Sequence, residues 1–406
     1  MRLLRPIGST LLLALVAAGP AWAQEEPLDI FGYFQAQFLY ENVDEERLQG
    51  ASPTFLSENT IDRDEDVTTF NLQQLNLFFR KALGSKSTAF VDLEFINTFS
   101  TGDGTGSAAL NEAWVSYRTS RALTFKLGLH VPPFNRLNEI KNRTPLLPYV
   151  VRPLVYETSF EEVLAIEDYL PNQAFAQVSG TLPYRDMRFS YAGYLGNTGN
   201  VNTNPFRGQT GVDTTKSVLV GGRVGARVGL LELGVSASRD VTNRFQSLGE
   251  ALGLAPGALR NVPRLRFGSD LQVLYGSWSL DAEVLRVSFD DDQETVSLRR
   301  TFYYVTLGYE PHPKWLTYAS FWSSDELGRL RNEVNNASLR QGSDVDVLTV
   351  GASFAPTDRV RLKGQYAVAW LSDDEETFGL PEGPANTLRM FDQRSHVLTL
   401  AVSVIF

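Results

Sequence analysis

Segments in which apolar and polar side chains alternate recur along this chain, and they restrict its fold more than any other feature. A period of two is typical of β-strands with one apolar face. An even number of antiparallel strands can close into a barrel that has no free edge. We predict about sixteen strands of roughly ten residues, near 30–41, 70–82, 87–98, 108–119, 122–131, 173–182, 187–196, 216–228, 230–239, 264–276, 278–289, 299–310, 314–323, 345–355, 358–371 and 392–406.

Short links rich in turn-forming residues alternate with long polar links along the whole pattern. The short links lie at 83–86, 119–121, 183–186, 229, 276–277, 311–313 and 356–358. Outer-membrane barrels have short periplasmic turns and long external loops. The fold predicted is therefore an all-β transmembrane antiparallel β-barrel of about sixteen strands. A soluble sandwich of two sheets is the alternative.

The two ends of the chain indicate export to an outer membrane. Arg2 and Arg5 precede the apolar stretch 11–18 and the small-residue triplet 21–23, so we expect a signal peptide at 1–23 and a barrel domain at 24–406. The last strand ends on the aromatic Phe406. A terminal aromatic resembles the signal that the barrel-assembly machinery reads, and export would pass through the periplasm.

Composition excludes two classes of protein. No apolar run after the signal peptide is long enough for a spanning helix, which excludes a helical membrane protein. The net charge is −10, and it becomes about −12 without the signal peptide, so nucleic acid is not an expected partner. Cysteine is absent, as suits an oxidising compartment. No histidine or carboxylate cluster has the spacing of a metal site, and no cofactor is expected.

Several strands separate an apolar face from a charged one. In 360–371 the residues Val360, Leu362, Tyr366 and Trp370 share one face, and Arg361, Lys363 and Gln365 share the other. The same rule turns Lys126, Arg223 and Arg227 away from lipid. Since spanning strands must pair every amide in a closed ring, the charged face lines a water-filled lumen.

One strand departs from this rule. Continuing the apolar face of 278–284 would place Arg286 against hydrocarbon, where arginine at the midplane costs about 2–4 kcal/mol. We therefore expect a β-bulge near Leu285 that turns Leu285, Val287 and Phe289 outward and Arg286 inward.

Three stretches resemble the phosphate-selective porin O and P family. Residues 125–134 resemble the strand that leads into its third loop, and 110–117 resemble the preceding strand, with Glu112 where aspartate is more usual. Residues 191–197 resemble its aromatic strand end, although Thr198 precedes Gly199. The resemblance covers roughly 70–200. It implies a sixteen-stranded, usually homotrimeric porin whose third external loop folds inward and narrows the channel.

The residues of that loop support the same expectation independently. Segment 132–172 is the longest connection and contains six prolines and many apolar side chains. A loop this rich in apolar side chains would be poorly solvated at the cell surface, so we expect it to pack on the inner wall of the barrel. It carries Lys141, Arg143 and Arg152, followed by an acidic part with a predicted short helix at 159–166. Charges of both signs at a constriction sort solutes by charge.

These observations predict a porin for passive diffusion of small hydrophilic solutes. Basic rings suit pores for inorganic anions and phosphate, but lumen-facing carboxylates offset them, so anion or phosphate preference stays open. The candidate pore-lining residues are Lys126, Lys141, Arg143, Arg152, Arg223, Arg227, Arg266, Arg361 and Lys363.

Two other functions are weighed against a porin. A lipid-modifying barrel enzyme needs a serine and a histidine on one outer face, and none of the three histidines has such a serine in its own strand. We therefore expect no enzyme. A channel-less structural or adhesive barrel would need a blocked lumen.

Acidic runs at 41–46, 62–66, 290–292 and 373–376 fall in the external links. We interpret them as solvated loop tips, because none has the spacing of a calcium loop. The alternative is that they hold divalent cations that bridge to lipopolysaccharide, which we expect as a partner together with outer-membrane lipid.

Overall fold

A computed structural model describes most of the chain. It covers residues 27–48, 66–95, 108–141, 143–156, 169–171, 173–198, 217–243, 245–251, 253–291, 295–332, 337–378 and 387–406. The predicted signal peptide and the acidic end of the third loop with its predicted helix lie outside these residues, as do parts of the acidic runs.

Sixteen antiparallel strands close into one barrel, which confirms the predicted fold. Each strand pairs with its neighbours in sequence, and the first pairs with the last. The strands are β1 Asp29–Leu48, β2 Val67–Ala82, β3 Ser87–Phe95, β4 Ala108–Ser120, β5 Leu123–His130, β6 Ala174–Tyr184, β7 Met187–Gly196, β8 Leu219–Val228, β9 Leu231–Thr242, β10 Val262–Tyr275, β11 Trp278–Asp290, β12 Val296–His312, β13 Trp315–Asn332, β14 Ala337–Thr357, β15 Val360–Phe378 and β16 Thr387–Ile405.

All seven short links connect strands at one end of the barrel, here called the turn end, and the long links lie at the loop end. The β13–β14 and β15–β16 hairpins extend five residues or more beyond the predicted bounds at the loop end. For example, β13 and β14 stay paired as far as Asn332 and Ala337. The predicted bounds end where the apolar alternation gives way to charged residues, whereas paired strands continue beyond an apolar belt when their side chains meet water.

The apolar faces predicted for several strands point outward. Leu127, Val224, Leu362 and Leu400 are exposed on the outside, whereas the inward neighbour Lys363 is buried. Aromatic pairs on the outer face mark the turn end: the ring centroids of Trp278 and Tyr309 lie 4.5 Å apart, and those of Trp315 and Phe354 lie 4.5 Å apart. Such aromatic girdles are typical where a barrel meets the membrane interface.

The bulge predicted near Leu285 is wrong. Strand β11 pairs with β10 and β12 without any register shift at this position. Leu285, Val287 and Phe289 are buried inside the barrel, and Arg286 is exposed on the outer face. The inner wall is apolar here because other residues cover it, so the strand does not need a bulge to hide its apolar side chains.

The apolar cluster inside the barrel consists of wall residues and residues of loop L3, the connection 131–173 between β5 and β6. Phe134, Tyr156 and Tyr169 of L3 are almost fully buried and pack with wall residues such as Phe289 and Phe302. L3 contains short 3₁₀ helices at Asn138–Ile140, Thr144–Leu146 and Leu154–Tyr156. The connection between β9 and β10 contributes α1, Gln246–Ala251, and the buried Phe245.

None of the helices in the described part of the chain is long and apolar enough to cross a membrane.

The closing seam between β1 and β16 is tightly packed at Gly32. The amide of Gly32 donates to the carbonyl of Phe406 and the amide of Phe406 donates back, both at 3.0 Å. A Cβ at position 32 would lie 2.5 Å from the Asn76 carbonyl oxygen and 2.8 Å from the Phe406 ring. Only glycine fits this approach without displacing the seam.

We predict that Gly32→Ala lowers the free energy of unfolding by about 1–3 kcal/mol, because overpacking forces the backbone to shift. The measurement is equilibrium urea unfolding of the folded barrel in detergent or lipid. Gly193→Ala in β7 is the matched control, since a Cβ there meets nothing within 4 Å. Equal stability of the two variants would contradict the tight seam.

Candidate functional site

Loop L3 crosses the lumen and is held first by β9 and β11. The amides of Arg136 and Leu137 donate to Oε1 of Glu283 at 3.0 and 2.8 Å, and the Tyr156 hydroxyl donates to the other carboxylate oxygen. The Asn135 amide donates to Ser236 Oγ at 2.9 Å. A buried carboxylate that accepts three hydrogen bonds has its desolvation offset, so Glu283 can anchor the loop.

A second set of anchors comes from β15. Nζ of Lys363 donates to the carbonyls of Thr144 and Tyr149 at 2.8 and 3.1 Å. Oε1 of Gln365 accepts from the amides of Val150 and Val151 at 2.8 and 3.0 Å. These bonds satisfy loop backbone that would otherwise be buried without partners, so L3 is held on a wall more than 200 residues away in sequence.

Buried arginines support L3 near the loop end. Nε of Arg266 donates to the carbonyl of Tyr169 at 2.8 Å, and its Nη1 lies 3.1 Å from Oδ1 of Asp240. Arg300 forms a buried ion pair of 2.7 Å with Glu326, which also accepts from the Tyr169 hydroxyl at 2.8 Å. Every charge in this cluster has an opposite partner, as burial requires.

Basic residues of L3 face carboxylates on the wall of β3. Lys141 and Arg152 act electrostatically on Glu94, and Arg143 acts on Asp92. Nη1 of Arg152 also donates to the Lys141 carbonyl at 2.6 Å. The arrangement sets positive charge on the loop against negative charge on the wall, which creates a field across the narrowed lumen.

A cavity of about 580 Å³ lies between L3 and the inner wall formed by β4 to β8. Arginine is the commonest charged residue in its lining, and Glu139 of L3 is the acid among the lining residues. The lining also offers hydroxyl and amide groups that can bind solutes. Its charged and polar members include Arg118, Arg121, Arg188, Arg223, Glu139, Gln177, Ser179 and Ser190.

The nine predicted pore-lining residues fall into three groups. Lys126, Arg223 and Arg227 lie on the β5 to β8 wall. Lys141, Arg143 and Arg152 lie on L3. Arg266, Arg361 and Lys363 hold L3 by donating hydrogen bonds to its carbonyls. Arg266 and Lys363 are almost fully buried, so they do not line the channel, contrary to the prediction.

The members of the first group differ in how they are paired. Arg223 forms an ion pair with Asp270, with Nε 3.0 Å from Oδ2. Nζ of Lys126 lies 4.8 Å from the Trp114 ring centroid, a cation–π contact. Arg227 is exposed and stands opposite Glu232 on β9.

Sequence reasoning missed Arg118, Arg121 and Arg188. A local signal was present for Arg188, because it alternates with the outward-facing Phe189 in β7. The structure places Arg188 directly opposite Arg227, so the two share the inward face. Arg118 lies on the same face of β4 as Trp114, four residues earlier.

Glu139 sits among these basic groups inside the lumen. Burial by the surrounding protein raises the pKa of its carboxyl, although the side chain keeps contact with lumen water. Lys126, Arg223 and Arg143 act in the opposite direction and Glu112 in the same direction. The carboxyl therefore takes up a proton at a higher pH than an ordinary glutamate.

The hydrogen bonds from Lys363 should hold L3 in place during conduction. Lys363→Met leaves the carbonyls of Thr144 and Tyr149 without their donor, so we expect a loss of about 1.5–3 kcal/mol in stability and a noisier, larger single-channel current because L3 loosens. The measurements are urea unfolding and planar-bilayer recording. Lys314→Met is the control, since Lys314 is exposed in a turn. Identical currents from both variants would contradict the anchoring role.

Comparisons with known proteins address the fold and the family. The family model described as Gram-negative porin matches residues 9–374. No curated protein matches the chain. The narrower likeness to the phosphate-selective porin O and P family stays a prediction.

Similar solved structures include three porin-like barrels. An anion-selective porin from Comamonas acidovorans shares 13% identity at a TM-score of 0.54, covering 94% of this chain and 99% of that one. The trimer form of OmpT from Vibrio cholerae shares 10% identity at a TM-score of 0.51, covering 94% of this chain and 100% of that one. OmpF of Salmonella typhi in complex with daunomycin shares 11% identity at a TM-score of 0.50, covering 92% of this chain and 97% of that one. At these identities the likeness establishes the shared barrel fold, and because the family model spans most of its length, this chain belongs to the family of Gram-negative porins, the channel proteins of the outer membrane.

Proposed function

We propose that this chain forms a water-filled channel for passive diffusion of small hydrophilic solutes and that the channel prefers anions. The observation that carries the preference is the cavity beside L3, whose lining contains four arginines and one acid. Arginine keeps its charge at any physiological pH and binds carboxylates and phosphates through a planar fork. Solutes with one or two negative charges are the class that this lining attracts.

The pairing of charges supports the same preference. Among the cavity arginines, Arg223 is neutralised by Asp270, whereas Arg118, Arg121 and Arg188 have no carboxylate within ion-pair distance in the described part of the chain. Their field therefore remains available to a passing solute. The anion-selective porin from Comamonas acidovorans is one of the folds that match this barrel, which agrees with the proposal.

Phosphate is one member of the anion class. The resemblance of roughly 70–200 to the phosphate-selective family supports its inclusion, and the wall carboxylates Asp92, Glu94 and Glu112 argue against strict selectivity. The channel is thus proposed as a diffusion pore with an anion preference, rather than a binding channel for one solute.

Three further points belong to the proposal. Residues 1–23 act as a cleaved signal peptide, and Phe406 is read by the assembly machinery after export through the periplasm.

The working unit is a homotrimer, as in the OmpT structure described as a trimer form. The chain has no enzymatic activity, because its family and its fold are those of channels. A channel-less structural barrel is the alternative, and the cavity beside L3 argues against it.

We predict that reconstituted protein opens in three equal conductance steps and that its reversal potential in a salt gradient has the sign of an anion-preferring channel. Replacing Arg188 and Lys126 together by glutamate shifts this potential toward cations, because two positive charges on the lumen wall are reversed. The same change at Arg185, exposed in a turn, is the control. A silent protein, or a cation preference in the unaltered chain, would refute the proposal.

Glu139 makes the preference depend on pH. Since its pKa is raised, acidification removes one negative charge from the lumen before ordinary carboxylates titrate, and the anion preference rises. The measurement is the reversal potential between pH 8 and pH 5, compared with Glu139→Gln. In this variant we expect a stronger anion preference at pH 8 and a smaller change with pH. An equal pH response in both proteins would exclude Glu139 as its source.

A further inference from the structure

Arg286 belongs to a line of three outward-facing arginines on adjacent strands. In the β11–β12 pair Arg286 stands opposite Thr301, two residues from Arg299. In the β12–β13 pair Arg299 stands opposite Leu327, two residues from Arg329. All three are exposed on the outer surface. Diagonal neighbours of this kind lie about 7–8 Å apart, so the line presents three guanidinium groups over a short span.

Arg286, the first member of the line, lies near the loop-end edge of the apolar band expected for such a barrel. Arg286 is eight residues beyond Trp278, the outer aromatic of β11 at the turn end. At ~3.3 Å per residue this is about 26 Å along the strand, and for a tilt of ~40° it is about 20 Å along the barrel axis. The apolar band of such barrels is about 25 Å tall. Arginine side chains reach several ångströms further toward the polar side, which brings the Arg286 guanidinium to the outer headgroups. Arg299 lies ten residues beyond Tyr309 and Arg329 fourteen beyond Trp315, further toward the loop end.

Within the described residues, the three arginines are not engaged in ion pairs. In the described part of the chain, the outward acids closest to the line stand diagonally to Arg299 on its two sides: Asp325, opposite Thr301, and Asp290, opposite Ser297. Arg286 and Arg329 have no acid directly opposite or diagonal to them. An exposed cationic line at the edge of hydrocarbon binds anions well, because water is scarce and the field is weakly screened.

Apolar surface continues below and beside the arginines. Leu327 is 57% exposed and Phe267, which stands opposite Arg286, is 54% exposed. A ligand that combines phosphate groups with acyl chains would satisfy both surfaces at once. Free phosphate would use the arginines alone and gain nothing from Leu327 or Phe267.

We propose that Arg286, Arg299 and Arg329 form a site for the phosphorylated headgroup of lipopolysaccharide in the outer leaflet. Their guanidinium groups bind the headgroup phosphates directly through paired N–H donors, and the acyl chains lie on the apolar wall below. The site differs from cation bridging by the acidic external loops, because it requires no divalent ion. It is independent of the solute pathway, since these side chains face away from the lumen.

The test measures binding of fluorescently labelled lipopolysaccharide to the folded, detergent-purified protein. We expect the triple variant R286Q/R299Q/R329Q to bind about 100-fold more weakly, because each arginine near an anionic membrane surface contributes roughly a factor of five to ten. Dephosphorylated lipopolysaccharide should bind the unaltered protein with a similar loss. Binding should persist in excess EDTA.

The matched control removes the same three charges from the lumen. R118Q/R121Q/R188Q should keep its affinity for lipopolysaccharide and change the reversal potential. The outward triple variant should lose affinity for lipopolysaccharide and keep the reversal potential. Failure of the proposed channel would appear only in the reversal potential, so the two proposals are separable. If the outward triple variant does not fold, R286Q alone and the dephosphorylated ligand carry the test.

Three results would overturn the site. One is unchanged binding by the outward variants, and a second is equal binding of the dephosphorylated ligand. The third is loss of binding in EDTA, which would assign lipopolysaccharide to cation bridging by the acidic loops.

Discussion

Backbone hydrogen bonding in a medium without water is the constraint from which the rest of this structure follows. Hydrocarbon offers no partner to an unpaired amide, so every strand must have two neighbours and the first strand must meet the last. The pairing of β1 with β16 meets that requirement. Sixteen strands, however, enclose more space than their own side chains can fill. Closure therefore creates a second problem, which is what occupies the lumen.

Loop L3 occupies part of that space. As a result, the inner wall beside the loop differs in polarity from the rest of the inner wall. Where L3 lies, the wall is apolar or carries buried polar anchors such as Lys363 and Glu283. Along β4 to β8, where a cavity separates L3 from the wall, the wall keeps its charges in contact with water. A buried charge needs hydrogen-bond partners or an opposite charge, whereas a charge in contact with water needs neither. The position of one loop thus decides which arginines support the fold and which act on solutes.

The number, order and approximate bounds of the strands were predictable, because a period of two and the alternation of short and long links are local signals. The inward direction of Lys126 and Arg227 followed from the same period. The orientation of β11 did not follow from it. Val284 and Leu285 are both apolar, and the assumption that apolar side chains face lipid fails where Phe134 and Tyr156, about 130 to 150 residues earlier in the chain, cover the inner wall.

The same limit explains the mixture of roles among the predicted site residues. Lys363 and Arg188 are both basic and both inward-facing, and nothing within their own strands separates them. They differ because Lys363 contacts carbonyls of L3 more than 200 residues away, whereas Arg188 faces open space. Since burial arises from contacts between distant segments, the face of a strand can be inferred from the strand itself, but the function of a charge on that face depends on where the loop lies.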